Sequence, residues 1–137
     1  MTDPFPITIF HNPRCGTSRN TVAMVQAAGY EPQIVDYLTD GWTRDQLFDL
    51  AARAGLGVQG LLRGKEALAA ELGLGDTGCS DERILDAMVE HPVLVNRPLV
   101  VTPLGVRLCR PSEVVLDILD RRPDSFTKED GEVVVPR

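Results

Sequence analysis

The arrangement that most restricts this chain lies in its opening third, where strand, helix and strand signals follow one another. Ile7-Thr8-Ile9-Phe10 is a short β-rich run, and His11-Asn12-Pro13-Arg14 breaks it. Over residues 17–28 the pattern turns helical, with Val22, Val25 and Ala28 three apart and Met24 on the same side, and Gly29 stops it. Ile34-Val35-Asp36-Tyr37 follows Pro32 as a second strand. Strand, helix and strand within about 30 residues make a βαβ unit, which implies a parallel pair joined by a right-handed crossover.

A helical middle follows. Thr43 and Gln46 form a capping-box pair ahead of Leu47, Leu50, Ala51 and Ala54 at helical spacing. A weaker helical stretch covers about residues 66–72. Another begins at Ser80-Asp81-Glu82, with acids in its first turn, and carries Ile84, Leu85 and Met88. Then Leu99-Val100-Val101 and Val106-Arg107-Leu108-Cys109 flank Thr102-Pro103-Leu104-Gly105, whose Pro and Gly suit a type I turn, so this segment is a β-hairpin. Ser112 is placed to cap a last helix bearing Val115, Ile118 and Leu119. The order β-α-β, helical insert, β-β, α predicts an α/β, thioredoxin-like fold. Its four-stranded mixed sheet has helices on both faces. The expected organisation is one domain over 1–137, with the insert at about 42–91 and a tail at about 121–137 that is expected to be partly flexible.

Composition narrows the function. The chain has 137 residues, enough for one domain with a core of its own. Its net charge is −6, against the basic footprint that nucleic acid or an anionic membrane demands. No apolar run approaches the roughly 20 residues that span a bilayer. Met1-Thr2-Asp3-Pro4-Phe5-Pro6 lacks the regions of a signal peptide, so the expected location is the cytoplasm. Cys15, Cys79 and Cys109 stand far apart with no Cys-x-x-Cys, and His11 and His91 are the only histidines, so neither a disulfide framework nor a metal site is expected.

Cys15 sits where the first strand ends and the first helix begins. Free amides and the helix dipole at such a joint favour a thiolate, whose pKa there can fall to roughly 3.5–7.5. Cys15-Gly16-Thr17-Ser18 is a one-thiol version of a redox pair, with Arg14, Arg19 and His11 adding positive charge nearby. The blander reading of Cys15 is a buried structural cysteine; the loop beside Gly16 suits approach instead. A phosphatase-type loop needs Arg six residues after the Cys, and that position is Thr21. No P-loop signature is present either. Of 14 basic residues only Lys65 and Lys128 are lysines. Most of the arginines suit solvated faces, but three stand apart. Arg63 lies in a loop after an apolar stretch, Arg97 precedes Pro98 at the head of the third strand, and Arg110 sits between Cys109 and Pro111. In the expected fold the loop before the third strand carries a proline facing the reactive Cys, which puts Arg97 beside Cys15. Guanidinium groups hold oxyanions bidentately and keep their charge, so an anionic substrate is captured locally against the overall field.

Several segments together resemble the glutaredoxin-coupled arsenate reductases. They are Ile7-Thr8-Ile9-Phe10-His11-Asn12-Pro13 with Cys15-Gly16-Thr17-Ser18-Arg19-Asn20-Thr21, Leu61-Leu62-Arg63, His91-Pro92 with Asn96-Arg97-Pro98, Val101-Thr102-Pro103-Leu104-Gly105, Arg107-Leu108-Cys109-Arg110-Pro111-Ser112-Glu113, and Phe126-Thr127-Lys128-Glu129-Asp130-Gly131-Glu132. The resemblance covers nearly the whole chain. It implies that Cys15 attacks arsenate and that Arg63, Arg97 and Arg110 hold the oxyanion. His11 and Ser18 would support the thiolate. Glutathione would act as co-substrate, with no bound cofactor, and glutaredoxin would resolve a mixed disulfide as arsenite leaves. The single thiol fits this: with Ser18 in place of a second Cys, no local disulfide can form and electrons must come from outside. Cys109 is expected to be structural and Cys79 a bystander. The sequence departs from the family pattern at Arg14, where a small residue is common, and at Gly64-Lys65-Glu66-Ala67. Two other functions stay open on the residues: a thiol-transferase acting on another substrate, and a non-enzymatic redox regulator of the same fold that binds RNA polymerase. The second usually carries Cys-x-x-Cys, which Ser18 breaks.

Overall fold

A computed structural model describes residues 5–75 and 78–135; Met1–Pro4 and the last two residues of the expected tail lie outside the described residues. The chain forms two compact units, Met1–Asp36 with Arg97–Arg137, and Tyr37–Asn96.

The first unit is built on four strands: β1 (Thr8–His11), β2 (Gln33–Asp36), β3 (Leu99–Thr102) and β4 (Gly105–Leu108), in the order β2-β1-β3-β4. β1 runs parallel to β2, with Ile9 opposite Ile34. It runs antiparallel to β3, with Ile9 opposite Val100. The mixed sheet expected from the residue pattern is therefore present, with the crossover made by helix α1 (Gly16–Ala27). The two central strands are the apolar ones: Ile9, Phe10, Leu99 and Val100 are all buried, whereas Ile34 on edge strand β2 is exposed. β3 and β4 close at Thr102 opposite Gly105, a two-residue loop. Thr102 Oγ1 accepts the Leu104 N–H at 3.0 Å and donates to the Ile118 carbonyl at 2.6 Å, so the turn is tied to the element that follows it. Gly105 has φ +146°, a backbone conformation that side-chain-bearing residues rarely adopt.

That following element differs from the expected helix. Ser112–Ile118 is a 3-10 helix, and Ser112 is its first residue rather than its cap, which is Pro111. The neighbouring β-branched Val114 and Val115 disfavour α-helix. Its buried side chains Val115, Leu116 and Ile118 join Ile7, Ile9, Met24, Val25, Val100 and Cys109 in the core.

α1 buries a more polar face than its hydrophobic spacing suggests. Ser18 and Thr21 are fully buried beside Met24 and Val25. Both are satisfied locally, Thr21 Oγ1 by donating to the Thr17 carbonyl at 2.8 Å. The tail carries more structure than its composition announces: β5 (Phe126–Thr127) and β6 (Val133–Val134) pair antiparallel, and Phe126 and Val134 pack on the core. Lys128, in the turn between them, is buried and bonds Glu113 at 2.7 Å and Glu132 at 3.3 Å.

The second unit is helical: α2 (Tyr37–Asp40), α3 (Arg44–Arg53), α4 (Gly57–Leu61), α5 (Ala67–Glu71) and α6 (Asp81–Glu90), then a 3-10 turn at Pro92–Leu94. Leu47, Leu50, Val58, Leu61, Ile84, Met88 and Leu94 are buried here. Arg44 on α3 is ion-paired with both Glu82 and Asp86 on α6. The capping box on α3 is complete: Thr43 Oγ1 accepts the Gln46 N–H at 3.1 Å, and Gln46 Oε1 accepts the Thr43 N–H. Thr43→Ala is expected to lower stability by about 1 kcal/mol in a urea titration. A change below a few tenths would mean that this cap contributes nothing.

Candidate active site

The site begins with how β1 ends. Asn12 is buried, 2% exposed, and its carbonyl accepts the Cys15 N–H at 3.0 Å while its Oδ1 accepts the Arg14 N–H at 2.9 Å. These bonds fold residues 12–15 into a turn that delivers Cys15 to the N-cap of α1, where its carbonyl receives the Arg19 N–H at 3.0 Å. Asn12 was not singled out by sequence reasoning. The available signal was its place before Pro13, since Asn before Pro initiates turns through its side chain.

Cys15 is half-buried. Arg110 Nη1 lies 3.6 Å from its sulfur and also donates to the Arg97 carbonyl at 3.0 Å. Burial pushes the Cys15 thiol up. The Ser18 backbone amide, hydrogen bonds from Arg97 and Arg110, and the Arg97 charge outweigh that effect and hold the thiol below its ordinary value. The sulfur makes no helix-capping bond of standard geometry, so the amide and the helix N-terminus act on it through the field. Arg97 is nearly buried, 8% exposed, which keeps water from screening its charge. It stands beside the thiol, as the proline-loop layout predicts.

His11, at the end of β1, meets Ser18 on α1: Nδ1 and Oγ are 2.6 Å apart, and Ser18 Oγ also accepts the Asn12 N–H at 3.1 Å. Burial lowers the His11 pKa, Asp36 raises it, and Arg19 lowers it further, with a net fall. The ring is therefore neutral near pH 7, so His11 does not add the positive charge expected from the sequence, and the tautomer that fits has Nδ1 accepting the Ser18 hydroxyl proton. The pair holds the first turn of α1 against the end of β1, directly under the Cys15 loop.

The remaining candidates sort as follows. Arg63 belongs to the second unit. Its backbone N–H donates to the Leu94 carbonyl at 2.7 Å, and its side chain contacts Asn96 Oδ1 at 3.3 Å and Glu66 at 3.3 Å. Cys109 is fully buried, and burial drives its thiol strongly upward, so it stays protonated. Cys79 is partly exposed and lies in the second unit. Among the described residues, no group of three or more His, Cys, Asp or Glu is arranged to hold a metal ion.

The sign of the pH effect follows from the lowered Cys15 value. The thiolate is favoured by the fold, so its contribution to stability is complete above the unfolded thiol value of about 8.5 and is lost as pH falls through the folded one. Alkylation of Cys15 by iodoacetamide should accordingly reach half its plateau rate below pH ~8.5, while Cys109 stays unmodified in the folded protein. A Cys15 midpoint at or above that of a free thiol would contradict the geometry.

A thiol held below its ordinary pKa at a helix N-terminus, with Arg97 and Arg110 beside it, sits on a four-stranded sheet of thioredoxin type. The ArsC family model matches residues 10–118. Arsenate reductase of Rhizobium meliloti is 59% identical over 130 residues, covering 94% of this chain and 93% of that one. Arsenate reductase ArsI2 of Synechocystis is 56% identical over 130 residues, with 94% and 93% covered. The solved structure of arsenate reductase from Vibrio cholerae superposes with a TM-score of 0.81 at 41% identity, covering 85% of this chain and 100% of that one. The chain belongs to the ArsC family.

Proposed function

We propose that this protein is a cytoplasmic arsenate reductase in which Cys15 attacks arsenate and glutathione and glutaredoxin supply the electrons. The observation that carries the reading is the Arg110 guanidinium 3.6 Å from the Cys15 sulfur, on a thiol held below its ordinary pKa. Arsenate is a multiply charged oxyanion, and guanidinium groups match it with parallel charge-assisted hydrogen bonds. Arg97 and Arg110 hold the oxygens while the thiolate approaches arsenic. The thiolate forms a sulfur–arsenic bond as an arsenic–oxygen bond breaks, and the departing hydroxyl takes one proton from solvent to leave as water. Arg63 is assigned to the same oxyanion through the family resemblance of Leu61-Leu62-Arg63.

Reduction of As(V) to As(III) takes two electrons, which two thiols give up on joining in a disulfide. Ser18 stands where a second local thiol would be, so the partner thiol comes from glutathione. Arsenite leaves, Cys15 remains as a mixed disulfide with glutathione, and glutaredoxin thiol–disulfide exchange restores the Cys15 thiol. The neutral His11 and Ser18 keep the helix start in place and add no positive charge of their own. No prosthetic group is needed, because every electron moves between sulfur and arsenic.

A trapping experiment tests this. With reduced glutathione and arsenate but no glutaredoxin, peptide mapping should find glutathione on Cys15 only when arsenate is present. Glutathione on Cys15 regardless of arsenate would favour a thiol-transferase of another substrate.

A further inference from the structure

The terminal hairpin reaches the active-site loop through one ion pair. Arg19, on the first turn of α1, is gripped by Glu129 on two sides: Nε to Oε2 at 2.9 Å and Nη2 to Oε1 at 2.9 Å. Its third donor, Nη1, bonds the Pro13 carbonyl at 2.8 Å, two residues before Cys15. Gly16 is packed under the pair: a Cβ there would meet Arg19 Nη2 at 3.6 Å and Glu129 Oε1 at 3.8 Å. Glu129 is fixed in turn, because its N–H donates to Asn20 Oδ1 at 3.0 Å and the preceding Lys128 is buried against Glu113 at 2.7 Å.

We propose that Glu129 is a positioning residue for Cys15, holding Arg19 so that its guanidinium pins the Pro13 carbonyl and fixes the loop that presents the thiol. The side chains are 43% and 50% exposed, so as a stabilising ion pair the contact is worth little. Its geometry has a different use. A guanidinium bound bidentately along its Nε–Nη2 edge has its Nη1 donors fixed in direction, and one of them meets the backbone of the cysteine loop at Pro13. The arginine also stays a fixed charge near the thiol instead of a mobile one able to draw the substrate oxyanion away from Arg97 and Arg110. The tail hairpin is thus a brace that reaches the reactive loop from the far end of the chain. The effect on turnover rests on the reading of Cys15 as the arsenate nucleophile; the effect on the thiol itself does not.

The test uses the full chain with Glu129→Gln, Arg19→Ala, Arg19→Lys and the double variant Glu129→Gln/Arg19→Ala. Two readouts are taken: peptide-resolved iodoacetamide alkylation of Cys15 at pH 7, and steady-state arsenate reduction. A misplacement of about 1 Å at a reacting group can cost ~100-fold, and a loosened loop is expected to cost about tenfold. Glu129→Gln and Arg19→Ala should each slow Cys15 alkylation and kcat by about that factor, with KM for arsenate within about twofold and thermal midpoints close to wild type. Arg19→Lys keeps the charge but lacks the planar fork that spans the Glu129 carboxylate and the Pro13 carbonyl together, so it should behave like Arg19→Ala. The double variant should match Arg19→Ala alone, because Glu129 acts only through Arg19. Wild-type rates in Glu129→Gln or Arg19→Lys, or losses that multiply in the double variant, would overturn the proposal. The alkylation readout needs no arsenate. A protein that fails to reduce arsenate but shows the alkylation pattern would sink the arsenate reading and leave the brace standing.

Discussion

Cys15→Ser should abolish arsenate reduction, with kcat/KM falling by ~10⁴-fold or more to background, while the thermal midpoint stays near that of wild type. Cys15 is half-buried at the N-cap of α1 and lies outside the core around Ile9, Met24 and Val100, so the oxygen-for-sulfur exchange leaves packing alone. The chemistry is what disappears. A serine hydroxyl is not ionised near neutral pH and cannot join a glutathione sulfur in a disulfide, so both the attack and the electron transfer are lost. Cys109→Ser and Cys79→Ser provide the contrast. Cys109 is sealed in the core, where a hydroxyl destabilises without touching the reaction, and Cys79 lies in the second unit. Residual arsenate turnover of more than about one per cent in Cys15→Ser would contradict the assignment of the nucleophile.

Arg110→Ala carries the second-largest expected effect, a loss of about 10²- to 10³-fold in kcat/KM for arsenate. Three contributions act together. The guanidinium stabilises the thiolate from 3.6 Å, offers donors to the substrate, and bonds the Arg97 carbonyl at 3.0 Å, which orients the loop carrying the second arginine. The first contribution can be separated from the others. Removing Arg110 should raise the pH midpoint of Cys15 alkylation, because one of the groups holding the thiol down has gone. Arg110→Lys should restore much of that midpoint but little of kcat/KM, since an ammonium keeps the charge without the planar fork. Equal recovery of both by Lys would mean that Arg110 acts as charge alone.

Much of this arrangement is legible in the residues, and the parts that are not share a physical cause. The βαβ opening, the Thr43 cap and the Pro103–Gly105 turn are written in short-range patterns, and each appears where its signals lie. The position of Cys15 and its neighbour Arg97 follows from the same topology. Periodicity misses α2 and α4, with four and five residues, because neither is long enough to show a period, and α4 contains Gly57 and Gly60. It also expects an α-helix at Ser112–Ile118, where the adjacent β-branched Val114 and Val115 disfavour one and a 3-10 helix forms instead. Ser18 and Thr21 fall outside the apolar spacing of α1, yet both are buried, and each has a hydrogen-bond partner close by. The Arg19–Glu129 pair joins residues 110 apart, and nothing local marks either as the other's partner. What hydrophobic patterning encodes is which face is inside; which polar groups meet is fixed only once the sheet and the tail are folded together.

The most direct measurement is a coupled assay with arsenate, glutathione, glutaredoxin, glutathione reductase and NADPH, with each component omitted in turn. The account predicts NADPH oxidation that requires arsenate, glutathione and glutaredoxin together and yields one arsenite per NADPH consumed. NADPH oxidation that proceeds undiminished without arsenate, or no oxidation with the complete mixture and a reduced Cys15, would contradict it.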